Sequence, residues 1–201
     1  MKISTLLLSG ASAVLLLLAQ PTRTMAQESS TTMAITADFN PKIAGDATTA
    51  GHLGEISVVS FKFGIEQKGS GATGGGLAAG KPEFQPMTIY KYLDKASARL
   101  FVECAKGTHF KTMTLSVSES NIETPQIVQS LLTIQLANVQ IKSLNTDSST
   151  QDNRGNLVES VTLQYTSAFW TFRDSDGQTY SGGWDLKGNK EIKPAAPVGG
   201  L

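Results

Sequence analysis

Apolar and polar residues alternate with a period of two along several stretches of this chain. The alternation is clear in Met33–Phe39, Met113–Val117 and Val161–Tyr165. A period of two is typical of a β-strand that buries one face and leaves the other in water. Each stretch is therefore predicted to be a strand that packs against a core through one face.

In two longer stretches the apolar positions change between even and odd numbers. The change falls near Val59 in residues 55–65, and between Leu136 and Val139 in residues 131–144. A one-residue change of parity is typical of a β-bulge, and long strands with bulges bend round a barrel. We therefore predict a mainly β fold, an antiparallel β-barrel of two sheets.

One stretch, Leu93–Lys106, has the spacing of a helix. Asp94 is its predicted N-cap, and Gly107 follows it as the residue that ends a helix. Because this is the one helical stretch, we predict a single helix that flanks the barrel. Its apolar stripe is Leu93, Ala96, Leu100 and Cys104. Cys104 is therefore interpreted as a small buried side chain and not as a nucleophile.

The last part of the domain is predicted to be a hairpin. Residues 157–173 and 179–186 are rich in β-branched and aromatic side chains, and Asp174–Gly177 between them has the composition of a turn. The aromatic residues of this hairpin are interpreted as core or subunit contacts, with a sugar-binding platform as the less favoured alternative.

A long glycine-rich loop is predicted from Gly64 to Pro82. Most connections in compact domains are about 4 to 6 residues long, so a loop of this length calls for a reason. One interpretation is a flexible linker. The other is an extended arm that becomes ordered on a neighbouring subunit.

The first 26 residues are predicted to be a secretory signal peptide. Lys2 precedes the apolar run Leu6–Ala19, and small residues precede a cleavage site after Ala26. The run is too short and too interrupted for a membrane span, so no membrane association is expected of the mature chain. The domain is predicted to cover residues 33–190, and residues 191–201 a flexible tail.

Charge and cysteine content exclude two further classes. Lysine and arginine total 17, aspartate and glutamate also total 17, and the chain has one cysteine. A balanced charge gives no attraction to phosphate backbones, so nucleic acid is excluded as a partner. A single cysteine cannot form a disulfide within the chain.

The motifs that suggest cofactor binding are incomplete. Gly69–Gly74 matches the letters of a dinucleotide fingerprint, but more glycine follows where a helix should begin. Residues 75–81 match a phosphate loop, but Pro82 replaces the hydroxyl residue. Asp174 and Asp176 resemble part of a calcium loop, but no glutamate closes it. We therefore predict no cofactor and no metal.

The two histidines, His52 and His109, are predicted to be loop or strand-end side chains. Neither lies in a sequence context that is typical of a hydrolase, although a hydrolase built on His109 is a conceivable alternative. No catalytic residue is predicted, and the protein is interpreted as not an enzyme.

An ordered set of residues extends along the chain from about Ala34 to Lys190. Its members are Gly54–Ile56, Ser60–Phe61, Gln67, Gly69–Ser70, Gly74–Gly76, Ala79–Lys81, Lys91, Asp94–Ser97, Leu100, Gly107–His109, Trp184–Asp185 and Asn189–Lys190. This ordered set resembles the haemolysin-coregulated protein (Hcp) family, the tube protein of type VI secretion systems.

The resemblance implies a β-barrel with one flanking helix and no catalysis. It also implies hexameric rings that stack into a tube, with sheath, spike and effector proteins as further partners. The candidate subunit interface lies in the glycine-rich arm and its flanks: Gln67, Gly69, Ser70, Gly74, Gly75, Gly76, Lys81 and Phe84.

The predicted signal peptide departs from the family pattern. Family members usually have no leader and leave the cell through the contractile machine. Two interpretations follow. Translation could begin at Met33, which restores the ordinary tube role. Alternatively, the chain is an exported Hcp-like binding module, periplasmic or extracellular, that is not part of a contractile machine, and we favour export.

Overall fold

The computed structural model describes residues 31–67, 82–121, 128–152 and 155–194, so the predicted leader lies outside the described residues. The described residues form twelve strands and one helix. The strands are β1 (Thr31–Asn40), β2 (Ile56–Val58), β3 (Ser60–Lys62), β4 (Ile65–Gln67), β5 (Pro82–Phe84), β6 (Met87–Tyr92), β7 (His109–Asn121), β8 (Val128–Gln151), β9 (Leu157–Gln164), β10 (Ser167–Arg173), β11 (Thr179–Asp185) and β12 (Lys190–Ile192). The helix is α1 (Ser97–Lys106).

Ten of these strands form one antiparallel sheet in the order β12-β11-β10-β8-β7-β1-β2, and β9, β6 and β3 branch from β8. β4 and β5 pair with each other in a second antiparallel sheet. The prediction of a mainly β fold with two antiparallel sheets and one helix is confirmed. The predicted closed barrel is not confirmed by this pairing.

Val59 marks the first predicted bend. β2 pairs with β1 and ends at Val58, whereas β3 begins at Ser60 and pairs with β6. The Val59 N–H donates to Tyr90 O at 2.7 Å. The parity of the apolar residues changes here because the chain passes from one partner strand to another.

Asn138 marks the second predicted bend. Its φ of 52° lies in the left-handed region, which asparagine tolerates better than most residues. Leu136 and Val139, on either side of it, are both fully buried. β8 pairs with β10 as far as Ala137 and with β9 from Gln140 onwards. The predicted bend is confirmed, and Asn138 provides the backbone turn.

The hydrophobic core lies against the faces that alternation predicted. Phe39 and Phe110 meet edge to face near its centre, with ring centroids 4.9 Å apart. The largest apolar side chains that are fully buried are Phe39, Phe110, Ile56, Met87, Ile89, Leu100, Met113, Leu115, Ile134, Leu136 and Leu163. The prediction was wrong for Met33, which is 63% exposed because β1 continues past its last pair with β2 at Ile35.

Helix α1 begins four residues later than predicted. Asp94 precedes the helix and accepts a hydrogen bond on Oδ1 from the Ala96 N–H at 2.9 Å. Its carbonyl accepts the Ser97 N–H at 3.1 Å, which forms a single turn before the helix. Leu93 lies outside this turn and is 53% exposed, so its place on the buried stripe was wrong. Ala96 and Leu100 are fully buried as predicted.

The predicted end of α1 is confirmed. Gly107 has a φ of 64°, and its N–H donates to Cys104 O at 3.1 Å. The Thr108 N–H donates to Glu103 O, so two of the last carbonyls of the helix are paired. Cys104 packs partly buried against the core.

A buried lysine ties the start of α1 to the sheet. Lys91 is fully buried at the end of β6, and its Nζ donates to Glu159 Oε1 at 2.8 Å and to Asp94 Oδ1 at 2.6 Å. Nζ also donates to Ser97 Oγ at 3.1 Å and to Tyr92 O at 2.6 Å. Because every donor of the ammonium has an acceptor, the charge is compensated where water is absent.

The predicted irregular loop from Gly64 to Pro82 is partly a strand pair. Ile65–Gln67 pair with Pro82–Phe84, and the register joins Gln67 to Pro82. Residues 68–81, which connect the two strands, lie outside the described residues. At the other end of the domain, β12 continues two residues beyond the predicted boundary at residue 190. Among the described residues there is no helix with the length and apolar character needed to cross a membrane.

Replacing Lys91 should strongly destabilise the monomer. Lys91→Met leaves the carboxylates of Asp94 and Glu159 beside each other without their cation, and breaking a buried ion pair in this way costs about 3 to 5 kcal/mol. Urea unfolding measures the loss as a lower midpoint. Lys95→Met is the matched control, because the pair of Lys95 with Asp46 is more than half exposed on both sides. Equal midpoints for the two variants would contradict the role of Lys91.

Candidate functional site

The apolar face of β8, β10 and β11 continues beyond the part that the core covers. The cross-strand pairs on this face are Ala168 with Trp184, Trp170 with Gly182, and Phe172 with Tyr180. Exposure rises outward along β10, from 7% at Ala168 to 40% at Trp170 and 44% at Phe172. In the part of the chain that the structure describes, a face that begins in the core therefore ends in solvent.

Two adjoining clefts lie where this face meets the pair β4–β5. The smaller, about 160 Å³, lies between Phe63, Trp170 and Gly182. The larger, about 390 Å³, lies between Pro82, Leu186 and Asn189, and Phe84 and Trp184 line both clefts. Gly182 has no side chain, and the surface is open at this position: a Cβ added to Gly182 would meet no atom within 4 Å.

Phe63 and Trp184 contribute two different features to this surface, a cluster of ring contacts and a buried indole N–H. The ring of Phe63 lies 5.7 Å from that of Trp170 and 6.1 Å from that of Tyr165. The Trp184 Nε1 is buried, and it has no hydrogen-bond partner in the described part of the chain. An indole N–H that is shielded from water calls for an acceptor. The surface can therefore pack an apolar partner, while the Trp184 N–H lies beneath it without an acceptor among the described residues.

Two of the predicted interface residues belong to this region. Phe84 lines both clefts from β5, and Gln67 is exposed at the end of β4. The other six lie outside the described residues: Gly69, Ser70, Gly74, Gly75, Gly76 and Lys81. Trp170 and Trp184, which belong to the hairpin aromatics predicted to be core or subunit contacts, both lie on this surface.

The main sheet also has open edges. Among the described strands, β12 pairs only with β11 and β2 only with β1, at opposite ends of the strand order. β2 covers β1 only at residues 35–37, so the first residues of β1 extend past it. A cleft of about 410 Å³ beside this edge is lined by Met33 and Ala34 from β1, by Val58 and Val59, and by Thr49. Open edges can accept a strand from another chain.

The two histidines have different surroundings. His109 is an exposed side chain at the start of β7, as predicted. His52 lies in the predicted loop, but its ring also bridges Glu55 Oε2 at 3.0 Å and Ser118 Oγ at 3.1 Å. Sequence spacing could suggest the pair with Glu55, three residues away. It gave no sign of Ser118, which only the fold brings close.

The resemblance of Asp174–Gly177 to a calcium loop has a local explanation. The Asp174 carboxylate accepts hydrogen bonds on Oδ1 from the N–H groups of Asp176 and Gln178. The Gly177 N–H donates to the Asp174 carbonyl, which confirms the predicted turn. Across the described ranges, no three His, Cys, Asp or Glu side chains come together as metal ligands.

Two ionisable groups have shifted pKa values near these elements. A hydrogen bond from Thr108 Oγ1 lowers the pKa of Glu103, opposed by partial burial and helped by Arg99. Burial raises the pKa of Tyr165 to about 12. The Tyr165 hydroxyl donates to Gln85 O at 2.9 Å, which fixes the ring beside Phe63. Neither group is arranged with a nucleophile or a metal ligand, so both have structural roles.

Comparison with known proteins agrees with this architecture. Residues 32–172 match the model of the family described as "Type VI secretion system effector, Hcp". Protein hcp1 of Pseudomonas aeruginosa is 29% identical over 153 residues, which cover 73% of this chain and 91% of that protein. The crystal structure of Hcp1 from Salmonella typhimurium is 24% identical with a TM-score of 0.64, and the match covers 80% of this chain and 99% of that one. A further structure, of a type six secretion system protein, has a TM-score of 0.69 at 20% identity, covering 80% of this chain and all of that one.

The matched family is one of structural tube proteins. The chain belongs to the Hcp family of type VI secretion proteins. It is a structural tube subunit of that system.

Tyr165 should ionise later than an ordinary tyrosine. Its folded pKa of about 12 exceeds the usual value of about 10, so the folded state keeps the proton between these pH values. The stability that this contributes is complete below pH 10 and is lost as the pH rises from 10 to 12. The phenolate absorbance of the wild type minus that of Tyr165→Phe isolates this group. A difference that titrates near pH 10 would contradict the predicted shift.

Proposed function

We propose that the chain closes into hexameric rings that stack into a tube, as a non-enzymatic subunit. The observation that carries this proposal is the uncovered apolar face with Trp170, Phe172 and Tyr180 at its outer end, where Tyr180 is 59% exposed. Large aromatic side chains in solvent are costly for a monomer and typical of an interface. A second copy is the partner that removes them from water.

The open edges of the main sheet support a head-to-tail contact. Such a contact joins two different surfaces of the same chain, and it closes into a ring when the rotation between copies fits. β12 of one copy and the start of β1 in the next, which extends past β2, are two different surfaces of this kind. Joining them would satisfy main-chain groups on both edges.

The glycine-rich arm is the proposed second contact, in the ring or between rings. The strand pair β4–β5 ends at Gln67 and Pro82, so residues 68–81 connect its tips. The arm and its flanks contain the eight interface residues proposed above, from Gln67 to Phe84. The position of Phe84 in both clefts supports a link between the arm and the aromatic surface.

We also infer that β2 and β3 close the main sheet into the barrel. These strands end the two branches of the sheet and are separated only by Val59, whose N–H already bonds to β6 at Tyr90 O. The lumen of a stacked tube is the proposed place for effectors, and sheath and spike proteins are its proposed further partners.

A second candidate is an exported binding module that acts outside a contractile machine. The predicted leader and the aromatic cleft beside Trp184 favour it, because aromatic surfaces also suit sugars. A glycan screen of the mature chain with no bound sugar would contradict this candidate.

Filling the cleft or removing the arm should weaken assembly without unfolding the subunit. Gly182→Leu places a side chain in open space on the uncovered face, and deletion of residues 69–76 keeps the pair β4–β5 intact. We expect a hexamer-sized species for the wild type in sedimentation velocity. Both variants should need at least about tenfold higher concentration to form it, since one buried aromatic contact contributes about that factor.

The matched control for Gly182→Leu is Ser181→Leu, which adds the same side chain on the opposite, exposed face of β11. It should assemble as the wild type does. A wild-type chain that stays monomeric across the micromolar range would contradict the ring. Unfolding of the deletion variant would show that the arm is part of the subunit fold.

Cells that express the full chain should contain a mature form that begins at Gln27. The apolar run Leu6–Ala19 and the small residues before Ala26 direct export and cleavage there. N-terminal sequencing of the protein from a periplasmic fraction measures this. A first residue of Met33, found in the cytoplasm, would contradict export and support the ordinary tube role.

A further inference from the structure

Residues 41–55, between β1 and β2, form a segment that we call the strap. It is held to itself by main-chain hydrogen bonds of 2.9 Å, from the Gly45 N–H to Gly54 O, from Ala47 to Glu55 O and from Gly54 to Ala47 O. Two of its own side chains, Ile43 and Ala47, are buried. A Cβ at Gly45 would overlap Glu55 O, so the strap closes without room for a side chain there.

The strap is fastened to β7 by three side chains that we call the latch: Glu55, His52 and Ser118. Both ring nitrogens of His52 are hydrogen-bonded. Nδ1 lies 3.0 Å from Glu55 Oε2, and Nε2 lies 3.1 Å from Ser118 Oγ. This is the order of a serine nucleophile triad. Ser118 is only 2% exposed, however, so no substrate reaches its Oγ, and the arrangement suits a structural link.

The face beneath the latch is polar and yet buried. Ser116 and Ser118 point away from the core side of β7, and they are 6% and 2% exposed. Thr36 on β1 is as buried, and its Oγ1 has no partner within the described residues. Polar groups of this kind are costly to hold out of water without a well-placed cover. The strap contacts this face at Ser118, through the hydrogen bond with His52.

The latch lies directly beside the open edge of the sheet. Ser118 pairs across the ladder with Ala34, which lines the edge cleft. The main-chain N–H of His52 donates to Thr49 O at 2.9 Å, and Thr49 lines the same cleft. The ring of His52 thus contacts the strand beneath the cleft, and its main chain contacts the strap residue in the wall of the cleft.

We propose that the Glu55–His52–Ser118 latch positions the β1 edge cleft for the neighbouring copy, so that opening the strap disables one side of the subunit contact. This inference rests on the proposed ring. The latch residues are positioning residues, because they act through the shape of the cleft and through Thr49.

The test compares His52→Ala and Ser118→Ala with His109→Ala, which changes the exposed histidine. Hydrogen exchange of the mature chain is measured at a concentration at which it is monomeric, and assembly by sedimentation at higher concentrations. In both latch variants the amides of Gly45, Ala47 and Gly54 should exchange about tenfold faster, while β7 and β8 stay protected. Assembly should require about tenfold more protein. His109→Ala should change neither.

The double variant separates a latch from two unrelated contacts. If His52 and Ser118 act as one unit, the double variant exchanges no faster in the strap than either single variant. Unchanged strap exchange, or faster exchange throughout the sheet, would overturn the latch. An open strap with normal assembly would overturn its positioning role. A wild-type chain that never assembles contradicts the proposed ring and the positioning role, whereas strap exchange in the monomer still reports on the latch alone.

Discussion

The structure depends on a hydrophobic face that the described residues of one copy cover only in part. β8, β10 and β11 present this face as one continuous surface, buried at Ile134 and Leu136 and open at Phe172 and Tyr180. Apolar burial provides most of the free energy of folding, so the covered part holds the subunit together. The uncovered part leaves the same kind of free energy available for association. In the proposed ring, folding and assembly use one surface: its covered part holds the subunit together, and its exposed part contacts the next copy.

The elements outside the sheet pack on the core through apolar side chains such as Leu100 and Ile43, and polar contacts fix their positions. Lys91 joins the start of α1 to β9 through Glu159, and His52 joins the strap to β7 through Ser118. Such contacts contribute less free energy than a core of equal size, but they are directional and fix one arrangement. Positions of the helix and strap are thus specified by a few side chains, which is why single substitutions can test them.

Much of the subunit could be predicted from local pattern. Alternation located the main strands, and parity changes located both bends, because each reflects a strand that passes to a new partner. Leu93 and Met33 were wrongly predicted to be buried. The apolar character of a side chain does not show whether neighbouring elements extend far enough to cover it. The Lys91–Glu159 and His52–Ser118 contacts join residues 68 and 66 positions apart, so no local spacing could reveal them. The interface residues of the arm remain a prediction. Phe84, which flanks the arm, lines both clefts of the aromatic surface.

Polar fastening and apolar assembly are complementary demands on a tube subunit. A strap or helix that was held mainly by apolar packing would require more hydrophobic surface, and each such surface is a possible wrong contact between copies. Directional contacts such as those of Lys91 and His52 fix the helix and the strap on the sheet without adding hydrophobic surface. The exposed aromatic side chains can then be concentrated on one face, beside the pair β4–β5 that carries the arm. This division favours one mode of association among many, which a repeating tube requires.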